Sequence, residues 1–237
     1  MLKLLLGCCL WSAVLEAAGA PLWPTAPVPC RDDLAHVAQS FFNKTGLAAE
    51  IGVFMGNLAD KNVRKWNGRY YMVDVWGPRS GDSQDKNLPD AAWHKQNMKE
   101  AIRRTRHAGG RAWPIRGLSV DVAERFAEEA LDWIYIDAEH TYGAVIADLD
   151  AWYPKVRWGG LLSGDDYGDA NDTELMTTDR YMSGISKCLG WRTETVRHHN
   201  WGTMRAVQEF ARRKGHQLFV TWMVDCYPYP AWYFVKG

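Results

Sequence analysis

Residues 131–142 read Leu131-Asp-Trp-Ile-Tyr-Ile-Asp137-Ala-Glu139-His140-Thr-Tyr142. Apart from Asp132, the stretch Leu131 to Ile136 is apolar, aromatic and β-branched, and it stops at the acid Asp137, as a strand buried inside a sheet does. Tyr142 to Tyr153 follows with helical character and is stopped by Pro154, and Gly160 to Gly164 reads as the next strand. A strand, a helix and a strand joined in this way make parallel neighbours. Asp137 and Asp165 stand 28 residues apart, one such unit, so adjacent strand ends would bring them together.

The same alternation extends both ways. Ala48 to Phe54 and Arg69 to Val75 are predicted strands, with a helix between them from Leu58 to Trp66. Gly77 to Leu88 is a loop rich in Gly, Pro, Ser and Asp, and Ala91 to His107 is a helix with a basic end. Ala112 to Arg116 is an edge strand, since Pro114 cannot donate to a ladder, and Ser119 is an N-cap for a helix to Ala130. A helix from Thr203 to Arg213 precedes two final strands, Gln217 to Met223 and Ala231 to Lys236, joined by a short Pro-rich turn. The fold class is therefore α/β, a mostly parallel sheet covered on both faces and ending in an antiparallel hairpin.

Composition narrows the function. The 237 residues carry 28 Lys+Arg against 28 Asp+Glu, with no basic run, which argues against a nucleic-acid binder. Thirteen Trp at no fixed period exclude a solenoid or propeller. At the N-terminus, Lys3, an apolar run from Leu4 to Leu15 and the small residues Ala17, Gly19 and Ala20 read as a signal peptide over 1–19. The alternatives are an uncleaved anchor or an ordinary helix. Cleavage would leave no stable membrane anchor, and the chain would enter the secretory pathway or, through a longer presequence, a plastid. Residues 20–31 then form a Pro-rich linker and 32–237 the domain. Cys30, Cys188 and Cys226 remain and allow one disulfide in three pairings, and Asn43 and Asn171 begin glycosylation sequons.

In parallel sheets ligands sit beyond the carboxyl ends of the strands. The first strand runs through Glu50-Ile-Gly52-Val-Phe-Met-Gly56, whose glycines let the backbone turn sharply against a ligand. Asp74 ends the second strand 24 residues after Glu50, where an acid accepts ribose hydroxyls, so the pair favours a nucleoside. Asp137, Asp165 and Asp166 would repel one another in one cleft unless a cation intervened. All-oxygen ligands suit Mg²⁺ or Mn²⁺. The bland alternatives are a capping carboxylate for Asp74 and a solvated loop for Asp165 and Asp166.

From about Ala48 to Lys236 the chain resembles the class I S-adenosylmethionine-dependent methyltransferases. The most specific pieces are Asp132-Trp-Ile-Tyr-Ile-Asp-Ala-Glu-His-Thr-Tyr142, Gly159-Gly160 and Gly164-Asp-Asp-Tyr167, which are similar to methyltransferase family 24. The resemblance implies a Rossmann-like three-layer sandwich with a seven-stranded sheet. It also implies a cofactor site in which Glu50, Gly52 and Gly56 surround the methionine part of S-adenosyl-L-methionine, Asp74 holds the ribose, Ser119 approaches the adenine and Asp137 closes the site. Phe54 stands where the commonest form of the motif has glycine. Two cation-dependent O-methyltransferase groups share the 28-residue spacing, which gives Asp137, Asp165 and Asp166 as metal ligands for Mg²⁺ and His140 or Glu139 as the base.

The expected reaction is methyl transfer to a hydroxyl of a small-molecule acceptor, sugar-like acceptors included, with divalent-cation assistance. The alternatives are a methyltransferase-like interaction protein without chemistry, and a nicotinamide oxidoreductase. The latter needs Gly-x-Gly-x-x-Gly, where this chain has Gly52-Val-Phe-Met-Gly56.

Overall fold

The computed structural model describes residues 28, 30–41, 45–77, 91–169, 200–221 and 229–237. Outside them lie the expected signal peptide, most of the Pro-rich linker, the 78–88 part of the loop, both sequon asparagines, Cys188 and Cys226, and the turn at 227–228.

The chain builds β1 (Leu47–Ile51), α1 (Asn57–Lys65), β2 (Arg69–Asp74), α2 (Ala91–Thr105), β3 (Ala112–Arg116), α3 (Ser119–Ala123), β4 (Leu131–Ile136), α4 (Tyr142–Trp152), β5 (Val156–Gly164), α5 (Thr203–Lys214), β6 (Phe219–Val220) and β7 (Trp232–Val235). The strands form one seven-stranded sheet in the order β3-β2-β1-β4-β5-β7-β6. β3 to β5 run parallel, and β7 lies antiparallel between β5 and β6. This is the α/β Rossmann-like sandwich expected. Pro114 sits in the edge strand β3, paired in register with Met72, where its missing N–H costs no ladder bond on the open side.

Alternation along each strand sorts residues between two cores. One face carries Ala48, Tyr70, Met72, Trp133, Tyr135 and Leu161, packed with Leu58, Ala59 and Val63 of α1 and Ala101 of α2. The other carries Ala49, Ile51, Val73, Ile134, Ile136 and Leu162, packed with Val122, Leu149, Trp152, Val207 and Phe210 from α3, α4 and α5.

Several boundaries differ from expectation, β5 among them, which starts at Val156 rather than Gly160. The helix read from Ser119 to Ala130 ends at Ala123, and Leu118, not Ser119, occupies the cap position. The Ser119 hydroxyl instead accepts a 2.8 Å hydrogen bond from Trp152 Nε1, so tertiary packing of α3 on α4 outweighs its local capping preference. Domain packing also begins before residue 32. Val28, Leu34, Ala35 and Ala38 are buried in the first core, on a helical segment that passes from a 3-10 turn (Arg31–Asp33) through Leu34–His36 to a π turn (Val37–Phe41). Lys61 Nζ of α1 meets the Asp32 carboxylate at 2.6 Å and pins this segment to the domain.

Asp132, inside the most specific motif, lies at the end of β4 remote from Asp137. Buried there, it pairs with Arg157 at 2.8 Å and accepts the Gly46 amide at 2.7 Å, a structural role that ties β4 to the start of β1.

Candidate active site

The strand ends of β2, β1, β4 and β5 are held together by backbone bonds. Gly52 N donates to Val73 O at 2.8 Å, Asp137 N to Ile51 O at 2.7 Å, and Asp165 N to Ile136 O at 2.9 Å. Gly52 takes φ +91°, and a Cβ there would fall 1.8 Å from the Asp137 carbonyl oxygen. Only glycine fits between these strand ends. Gly56, at φ +76°, caps α1, and its missing side chain lets Ala101 of α2 approach to a distance a Cβ would reduce to 2.8 Å.

Phe54 occupies the same left-handed region, with φ +53°. The backbone keeps the shape a glycine would take, and the strain costs about 1–2 kcal/mol. Its ring packs at a tilt against Trp93 with centres 5.5 Å apart, and its carbonyl accepts Trp76 Nε1 at 2.8 Å. Asp74 organises this turn. Its Oδ2 accepts the Phe54 amide at 2.8 Å and its Oδ1 the Trp76 amide at 2.7 Å. Each oxygen keeps a second lone pair for a ligand hydroxyl. Gly117, two residues before Ser119, donates its amide to the Asp74 carbonyl at 3.0 Å, which places the start of α3 beside Asp74.

Glu50 points into the first core and is buried. It accepts a short hydrogen bond from the Tyr70 hydroxyl and another from Asn62 Nδ2 at 3.4 Å, while Asn62 also donates to Tyr70 at 2.8 Å. Burial pushes the Glu50 carboxyl up to about 8, against the opposing pull of these donors. Nearby, the Tyr135 hydroxyl is buried without a hydrogen-bond partner among the described residues. Neither Tyr70, Asn62 nor Tyr135 was singled out from sequence. The available signal was Glu50 itself, a lone acid among apolar strand residues that had to meet a donor.

Asp137, His140 and Asp166 converge, each offering a ligand atom within 4.8 Å of the others. His140 Nε2 lies 3.0 Å from Asp166 Oδ2 and 3.5 Å from Asp137 Oδ1, an ion pair rather than an aligned hydrogen bond. Burial alone would lower the imidazole pKa, but the two carboxylates override it and raise it to about 10. Desolvation raises the Asp137 carboxyl, opposed by His140. Glu139 accepts the His140 amide at 3.2 Å. Trp201 packs at a tilt against His140, with ring centres 4.6 Å apart, and Tyr229 against Trp201 at 4.9 Å, so the far side of the acidic group is an aromatic wall.

Asp165 does not join this group. Asp166 takes a left-handed φ of +52°, and the two neighbouring carboxylates turn apart. Asp165 is buried and ion-paired with Arg31 of the N-terminal segment. The three-aspartate ligand set expected from sequence is therefore replaced by Asp137, Asp166 and His140 as the converging set.

The residues fit an S-adenosylmethionine-type cofactor: an acid with spare lone pairs at Asp74, an orphaned hydroxyl at Tyr135, and strand ends that glycine at Gly52 allows to meet. They fit Mg²⁺ less well, because an imidazole nitrogen in the set suits Mn²⁺ or later transition metals better.

Residues 49–167 match the family model described as methyltransferase domain. No curated protein matches the sequence. Among solved structures, an O-methyltransferase from Bacillus cereus in complex with SAH is 16% identical at TM-score 0.55, over 95% of this chain and 88% of that one. Cofactor-bound Rv0187 from MTB is 15% identical at TM-score 0.56, over 99% and 92%. The O-methyltransferase TomG from Streptomyces achromogenes, in complex with SAM, is 14% identical at TM-score 0.55, over 94% and 86%. At such identities the likeness is one of fold, whereas the family match spans half of the sequence and includes every strand end just described. The chain belongs to the class I S-adenosylmethionine-dependent methyltransferase family.

Proposed function

We propose that this protein transfers a methyl group from S-adenosyl-L-methionine to a hydroxyl of a small acceptor. The observation that carries the cofactor is the meeting of Gly52, Asp74 and Asp137 at the adjoining ends of β1, β2 and β4. Asp74 is placed to bind ribose hydroxyls, Gly52 lets the ends of β1 and β4 meet beside Asp137, and the turn at 54–56 leads into the N-terminus of α1. O-methyltransferases among the fold neighbours support hydroxyl as the nucleophile. The aromatic wall of Trp201 and Tyr229 beside His140 suits a flat or sugar-like ring. Entry into the secretory pathway through residues 1–19 belongs to the same proposal and rests on sequence alone.

The bound cofactor supplies an activated methyl carbon, so this chain's residues have to align the acceptor and take its proton. His140 stands between Asp137 and Asp166 facing the aromatic wall, and Glu139 is the other candidate base. An imidazolium held to about pH 10 makes a His140-dependent rate climb with pH through neutrality. A divalent cation, where one binds, would be held by Asp137 and Asp166 with His140, and would make the acceptor hydroxyl more acidic.

The test is titration calorimetry of the chain from Ala20 onward with S-adenosylhomocysteine, with and without Mg²⁺. Dissociation constants on the order of micromolar are expected, weakened by Gly52→Ala. Folded protein that does not bind would overturn the methyltransferase reading in favour of an interaction protein on the same fold.

A further inference from the structure

Arg31 lies on the helical segment before β1, and its Nη1 is ion-paired with Oδ2 of Asp165 at the end of β5, 134 residues along the chain. The Asp165 side chain is only 2% exposed. An ionised carboxylate at that depth is strongly disfavoured unless a cation meets it. The segment that brings Arg31 there is fixed on both sides of the contact. Val28 and Leu34 are buried in the core, and Lys61 and Lys65 of α1 hold Asp32 through its carboxylate and its carbonyl, each at 2.6 Å. From this anchorage the guanidinium reaches over the strand ends, and its charge draws Glu50, Asp137 and Tyr135 toward their ionised forms.

A guanidinium keeps its charge at every pH a folded protein meets, so protonation never vacates this place. Any divalent ion approaching Asp165 has to displace Arg31 and leave a cation without its partner. We propose that Arg31 is the fixed cation of the cleft, a positioning residue that takes at Asp165 the place of a metal ion, so that Asp165 is not a metal ligand. The functional meaning of this arrangement rests on the methyltransferase reading above, while the charge pairing does not.

The test is Mn²⁺ binding to the full chain, followed by the paramagnetic resonance of the free ion. Wild type and Asp165→Asn are expected to bind Mn²⁺ alike, within about twofold, and Arg31→Met about tenfold more tightly than wild type. A tenfold loss in Asp165→Asn, or no gain in Arg31→Met, overturns the proposal. Because Arg31→Met leaves a buried charge unpaired, thermal unfolding is measured alongside. Its midpoint is expected to fall by roughly 5–15 °C, and adding Asp165→Asn is expected to restore at least half of the loss. Absence of that rescue also overturns the proposal. Calorimetry with S-adenosylhomocysteine on the same wild-type sample separates the two claims, since its failure removes the cofactor reading and leaves the Mn²⁺ and rescue results standing.

Discussion

The two faces of the sheet are packed by different chemistry. The face under α3, α4 and α5 is apolar, with Trp152, Phe210, Trp232 and Phe234 fully buried among Leu, Ile and Val. The face under the N-terminal segment, α1 and α2 includes buried polar groups: Glu50 with Tyr70 and Asn62, Tyr135, and Ser163, whose hydroxyl accepts Trp133 Nε1 at 2.9 Å and donates to the Ile134 carbonyl at 2.9 Å. Its residues near the strand ends border the proposed cofactor site. One face is therefore packed mainly by apolar contact, and the other gives up part of that contact to hold polar groups near the strand ends. Glu50, Tyr70 and Ser163 find partners in this core, whereas the Tyr135 hydroxyl has none among the described residues.

If that contrast is right, substitutions on the two faces fail in different ways. Phe210→Ala, on the apolar face, is expected to cost about 3–5 kcal/mol in chemical unfolding and to leave the pH dependence of stability unchanged. On the polar face the signature is pH. Glu50 and His140 both hold protons more tightly folded than unfolded, so the folded state binds more protons and stability falls as pH rises. The Glu50 part is complete below about pH 4.5 and is lost by about pH 8, and the His140 part is lost between about 6.5 and 10. Glu50→Gln is expected to remove the lower part of this decline, a difference on the order of a few kcal/mol across pH 5–8. A wild type whose stability rises over that range would break the comparison.

Tyr70→Phe takes a hydroxyl from both Glu50 and Asn62 and is expected to cost about 1–3 kcal/mol, with a larger loss at pH 8 than at pH 5. An equal loss at both would mean that Glu50 is not charged there. The smallest effect is expected at Phe54. In Phe54→Gly, relief of left-handed strain and loss of the Trp93 contact oppose each other, leaving a net change below about 1 kcal/mol in denaturant unfolding. A loss above 2 kcal/mol would show the ring to be a real part of the core.

Much of the fold was written in local pattern. The β4 motif, the Pro114 edge and the strand-end acids need only the neighbours in sequence to be read, and each stands where spacing put it. Ser119 shows where local reading stops: its hydroxyl is taken by Trp152, 33 residues away, and the cap it would have formed is absent. The site was legible to a similar degree. Gly52, Gly56, Asp74, Asp137, His140 and Asp166 gather at adjoining strand ends, but Asp165 turns away. Its partner sits in what composition presents as the last residue of a linker. No periodicity connects Arg31 to β5, because the contact depends on how a whole N-terminal segment docks. The Tyr70–Asn62–Glu50 cluster was hidden for a similar reason, since tyrosine and asparagine carry no sign of which buried acid they will meet.

The position of β7 bears on how the protein is made. Trp232–Val235 is synthesised after every other strand, yet it lies between β5 and β6 and bonds to both. Until those residues are available, Leu161 and Leu162 of β5 stand on an open edge, and β6 has nothing to pair with. A nascent chain on the ribosome thus exposes an adhesive strand for as long as translation has not passed residue 235, and must be shielded or fold late. Premature stops after Gly164 and before Trp232 should then yield aggregating rather than merely weakened protein.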